Sequence, residues 1–146
     1  MTDRIDALKT LHTSLVDSRN GYDEAVKQSK GEGLEPLFRG MIELRNSAAS
    51  ELAPHLVALG ETPDADGSFM STVHRTVIDV RSYVTGLDES VLPSLISGEE
   101  RILGYYDDAL AASSPENVEH SALVEQRAKL VAKIDEMHRM KARAAA

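Results

Sequence analysis

The chain has no cysteine and no tryptophan, and its 146 residues include only two phenylalanines, four tyrosines and five prolines. Without cysteine there is no disulfide framework, thiolate nucleophile, zinc finger or iron–sulfur cluster. No apolar run approaches the roughly 20 residues that a membrane span requires. The opening residues Met1-Thr2-Asp3-Arg4-Ile5-Asp6 lack the apolar stretch of a secretory signal, so the expected compartment is the cytoplasm. Basic residues number 16 against 24 acidic ones, a net charge of −8. They are scattered along the chain, which argues against nucleic acid or an anionic membrane as a partner. No glycine-rich phosphate cradle and no serine on a strand-turn-helix elbow occurs.

What the chain does have is helical punctuation and a helical period. Scarce aromatics beside abundant Ala, Leu, Glu and Lys favour helix over strand. Asp3 caps a first helix that runs to about Ser29, with Gly31 and Gly33 in the turn that follows. Pro36 suits the first turn of a second helix, closed by Gly60 and Pro63. Ser68 opens a third helix ending near Thr85 and Gly86, and Asp88 opens a fourth that reaches Ala112. Ser114-Pro115-Glu116 combines an N-cap, a first-turn proline and a carboxylate at the positive helix end, and starts a fifth helix running to the Arg139 region. Apolar residues recur every three to four positions: Leu8, Leu11, Leu15, Tyr22 and Val26; Leu34, Phe38, Met41, Leu52, Leu56 and Leu59; Leu92, Leu95, Ile102, Leu103, Tyr106 and Leu110; Leu123, Leu130, Val131, Ile134 and Met137.

Four of these helices span roughly 25 residues each, about 37 Å, the proportions of a four-helix bundle. The third is shorter, about 27 Å, and lies where a connection between two parallel long helices would have to run. The expected fold is therefore all-α: a ferritin-like, up-down-down-up four-helix bundle with a crossover helix between the second and third long helices. Residues 1–140 form one domain and 141–146 a frayed tail.

Such bundles carry their chemistry on inward carboxylates and Glu-x-x-His pairs. At 100° per residue, Glu43 lies about 160° and Asn46 about 100° from the centre of the apolar stripe, so neither points inward; Asp17 and Glu24 likewise fall near the polar side. The central positions go instead to Arg45, Glu99 and Arg127, with Arg19 and Ser18 beside the stripe of the first helix. The interior polar layer is thus Arg19, Arg45, Glu99 and Arg127, joined by the phenols of Tyr22 and Tyr106. One carboxylate among several guanidiniums does not suit a metal pair. No metal, cofactor or catalytic residue is expected. The layer reads first as an ion-pair network that holds helix register, then as a small anion-binding pocket, and last as a metal centre. Asp135-x-x-His138 resembles a ligand pair only superficially, because the two residues fall outside one inward face. His12, His55 and His120 border their stripes, and His74-Arg75 sits on the crossover helix. Mid-helix Gly98 suggests a close backbone approach beside Glu99. Leu37, Leu44 and Val57, with Ile78 and Tyr83, supply apolar surface away from the main stripes, so a homodimer is expected.

Leu15-x-Asp17, Gly21-Tyr22, Leu37-Phe38, Arg45 with Glu51-Leu52, Leu59-Gly60, Gly67-Ser68, His74-Arg75, Gly98-Glu99 and Tyr106, taken in order, resemble an uncharacterised bacterial family of ferritin-like bundles, a domain of unknown function. The resemblance covers roughly residues 5–140 and implies the fold and a bacterial cytoplasmic origin, without an activity. The expected role is that of a non-enzymatic helical protein in stress response, interaction or assembly. The alternative is a diverged ferritin-like metal-binding or redox enzyme.

Overall fold

The computed structural model describes residues 2–29, 33–63 and 89–145. Among these residues the chain is all-α, with four α-helices and no strand: α1 (Thr2–Ser29), α2 (Glu35–Ala58), α3 (Leu92–Ala112) and α4 (His120–Ala145), with a 3-10 turn over Glu89–Val91 leading into α3. None of the described helices is long and apolar enough to cross a membrane. The crossover helix expected over 68–85, with His74, Ile78 and Tyr83, and the turn glycine Gly31, lie outside the described residues.

The helix ends follow local chemistry. Gly33 and Gly60 adopt φ of 62° and 83°, a region that costs an L side chain Cβ contacts but not glycine. At Gly60 the reversal satisfies the last carbonyls of α2: Glu61 N–H donates to Leu56 O (2.9 Å) and Gly60 N–H to Val57 O (3.0 Å). Two helices start later than their sequence signals suggest. Glu89–Val91 form a 3-10 turn and regular α-helix starts at Leu92, which places Pro93 in the first turn of α3, where its missing N–H leaves no helix carbonyl unpaired. Ser114-Pro115-Glu116 builds a turn rather than a helix start. Ser114 N–H donates to Asn117 Oδ1 (2.8 Å), Ser114 Oγ to Glu116 Oε2 (2.7 Å) and His120 N–H to Asn117 O (3.1 Å), and these local bonds outcompete helix until His120. At the other end α4 continues helically past position 140 to Ala145, its last residues exposed.

α1 packs against α2 and α3, and α4 packs against α3 and more loosely against α2, so the order around the bundle is α1, α2, α4, α3. Two apolar clusters divide its length. One joins Leu8, Leu11 and Leu15 to Leu52 and Leu56, Ile102 and Ala109, and Leu123 and Leu130. The other joins Tyr22 to Phe38, Met41, Leu92, Ile96 and Met137, with the Tyr22 and Phe38 rings 5.8 Å apart. Leu37 is buried in this second cluster and Leu44 packs half-buried against it, so two of the side chains expected on a dimer surface serve the chain's own core; Val57 stays 60% exposed. Polar side chains occupy the junction between the clusters.

Candidate functional site

Arg45 sits on the inward line of α2 between Met41 and Leu52, and is only 1% exposed. Its Nη2 donates to Oε1 of Glu99, itself 2% exposed on the diagonally opposite α3, and its Nε donates to Ser18 Oγ on α1 at 3.1 Å. Tyr22 of α1 donates its hydroxyl to the second carboxylate oxygen, Glu99 Oε2, at 2.5 Å. Both oxygens of the carboxylate are thereby engaged. The ion pair crosses the bundle through its middle and ties three helices at one level.

A second set of bonds carries the polar layer across to α4. Tyr106 donates to Gln126 Oε1 at 2.8 Å, and Gln126 Nε2 donates to Glu51 Oε1 (2.7 Å) and to Ala48 O (3.4 Å). Because Glu51 is exposed, this branch reaches solvent between α2 and α4. Burial pushes the Tyr22 phenol up to about 12 and the Tyr106 phenol higher still, against the opposing pull of Arg45 on both. Burial also lowers the Arg45 guanidinium from its ordinary value, and the phenols of Tyr22 and Tyr106 work the other way. Both phenols are therefore donors at neutral pH, and the core charges of the layer are one cation and one anion.

Of the residues expected in the layer, the structure brings together Arg45, Glu99 and Tyr22, with Tyr106 in the adjoining branch. Arg19 stays at the seam between α1 and α2, bonded to Asn20 Oδ1 (2.9 Å) and Asn46 Oδ1 (3.3 Å). Arg127 is not a partner of Glu99. It points outward and pairs with Asp107 at 2.6 Å, the two side chains 37% and 53% exposed. Positions 126 and 127 straddle the line from Leu123 to Leu130, and the neutral amide of Gln126 takes the inward place because it needs hydrogen bonds but no counter-charge. Gly98 does not mark a close approach: it is exposed, and a Cβ there would meet nothing within 4 Å.

Other buried polar residues had weaker signals. Asp17 is 1% and His12 3% exposed, although helical phase puts Asp17 near the polar side of α1; Thr13, Asp17 and Gly21, four residues apart, form a second buried line there. Glu119 is 2% exposed and accepts from Arg4 Nε (2.7 Å) and Nη2 (2.9 Å), closing the end of the bundle where α1 begins. The Arg4 hydrogen bonds hold the Glu119 carboxyl below the usual carboxylate range, against burial, with nearby His55 assisting. Nothing in a sequence links positions so far apart. Asp135 and His138 are both exposed, and half-buried His120 lies 3.3 Å from Ser113 Oγ.

Among the described residues no group of three or more His, Asp or Glu side chains could hold a metal ion. The layer itself offers one carboxylate, already engaged at both oxygens, beside a guanidinium that repels cations. Such a donor set does not fit a pair of divalent metals. Residues 3–112 match a domain of unknown function, DUF2383. No curated protein and no solved structure matches the chain.

Proposed function

We propose, for a chain that belongs to the DUF2383 family, a non-enzymatic role in the bacterial cytoplasm, as a stress-response protein or a helical interaction or assembly protein, acting as a homodimer. In this reading the bundle is ferritin-like and up-down-down-up, with 68–85 as the crossover between α2 and α3. Support for the topology comes from the two clusters. One gathers the start of α1, the ends of α2 and α3 and the start of α4, and the other gathers the opposite ends. Where a catalytic ferritin-like bundle would hold metal, this one holds Arg45 and Glu99.

The observation that carries the reading is the engagement of both Glu99 oxygens, by Arg45 and by Tyr22. A metal at that level would have to displace a guanidinium from the bundle axis and leave it buried without an anion, at a cost of several kcal/mol. The test is metal analysis of protein produced in medium rich in iron and manganese and purified without chelator. Far less than one metal per chain is expected. Stoichiometric metal, lost on Glu99→Leu, would overturn the reading in favour of a diverged metal or redox enzyme.

A further inference from the structure

The outward face of α4 is polar, with alanines at its middle and charges toward both ends. Glu125, Ala132 and Arg139 lie on one line along it; Lys129 and Glu136 flank that line on one side and Ala128 and Asp135 on the other. All of these are exposed except Glu136, which is half-buried. Val124, at the start of the face, is 49% exposed. Inside the chain Lys129 pairs loosely with Glu125 (3.3 Å) and Lys133 with Glu136 (3.6 Å), while Arg139 makes no ion pair among the described residues.

We propose that this face binds the same face of a second copy, α4 against α4 and antiparallel, about a twofold axis at Ala132. This rests on the assembly reading above and names the surface that serves it. A twofold through Ala132 sets Glu125 of each copy level with Arg139 of the other, and Lys129 level with Asp135 and one residue from Glu136, so the charges that face each other directly are of opposite sign and each contact occurs twice. Slipping the register by one helical turn brings Glu125 toward Glu136 or Lys129 toward Arg139. A parallel arrangement sets Glu125 against Glu125 and Arg139 against Arg139. Charge therefore selects one orientation and one register, as it does in paired helices generally. Ala128 and Ala132 leave room for the helices to approach. A net charge of −8 per copy repels a second copy in any arrangement, so association depends on these opposite charges facing each other, and their exposure makes it salt-sensitive.

Sedimentation velocity at about 20 mM and about 500 mM salt reads the prediction. The wild-type chain dimerises at low salt and dissociates at high salt. Arg139→Glu or Glu125→Arg alone weakens the dimer by about tenfold or more, and the double swap Glu125→Arg/Arg139→Glu restores it to within about threefold. Because the chain has no cysteine, Ala132→Cys gives a second readout. Oxidation should cross-link it across the axis, and an exposed control, Ala58→Cys, should not cross-link. A wild-type monomer at high micromolar concentration in low salt, single variants that dimerise like wild type, or a double swap that stays monomeric would each overturn the proposal. Metal bound in the interior would overturn the reading of the interior without changing these outcomes, so the two failures are separable.

Discussion

Two arginine–carboxylate pairs hold this bundle, one at its middle and one at its end, and they differ in how the cation meets water. At the end, Arg4 grips the buried Glu119 with two bonds but keeps 32% of its own side chain exposed. At the middle, Arg45 and Glu99 are both sealed, at 1% and 3% side-chain exposure. Desolvation makes the central pair costly to assemble and far more costly to halve, whereas at the end only the carboxylate is sealed and the cation keeps contact with water. Any helix rotation that separated Arg45 from Glu99 would strand two buried charges.

The largest expected effect follows from that difference. Arg45→Met and Glu99→Leu should each destabilise the chain by about 3–5 kcal/mol, a large share of a domain's total, because each leaves the opposite charge buried and alone. The double variant should be much less destabilised than the sum of the two, since no charge remains unpaired. Urea unfolding of the four proteins checks this. Additive losses would show that Arg45 and Glu99 are not each other's principal partner.

How far this arrangement was legible beforehand depends on the length scale of each signal. Helices, their number outside 64–88 and most of the core could be read from the three-to-four residue period, because burial of one stripe is a local property of a helix. Arg45 and Glu99 were legible for the same reason, as charges at the centres of otherwise apolar stripes. Arg127 was not, because an error of one position is 100° of rotation, and only the packing against α2 and α3 decides whether 126 or 127 faces inward. The start of α4 lies six residues beyond its sequence signal for a different reason: Ser114 and Asn117 can cap a helix or close a turn, and their hydrogen bonds here close turns. Glu119 had no sequence signal, since its partner Arg4 lies at the far end of the chain.

The end clasp supplies a smaller effect with a pH signature that the middle lacks. Arg4→Met should cost about 1–2 kcal/mol at neutral pH, the value of charge-assisted hydrogen bonds reduced by solvent screening. Glu119 has its folded-state carboxyl depressed chiefly by the Arg4 hydrogen bonds. The stability it adds is therefore present above the unfolded carboxyl's value of about 4.3 and disappears as pH falls through the lower folded value. The gap between wild type and Arg4→Met should shrink as unfolding is measured at successively lower pH below about 4. A gap that persists unchanged at lower pH would mean that Arg4 contributes through packing of its stem rather than through the carboxylate.

The smallest effect sharpens the comparison from outside. Arg127 and Asp107 are as close as the end clasp, at 2.6 Å, yet both are substantially exposed. If distance decided the worth of an ion pair, Arg127→Met would resemble Arg4→Met. If burial decides it, water replaces Asp107 as the partner at little cost, and the variant should lie within about 0.5 kcal/mol of wild type. Urea unfolding at low and high salt distinguishes these cases, since what little the exposed pair contributes is screened as ionic strength rises. A loss above about 2 kcal/mol would place Arg127 inside the bundle with Glu99. Gln126 would then have to face outward, away from Tyr106, and the inward phase of α4 assigned above would be displaced by one residue.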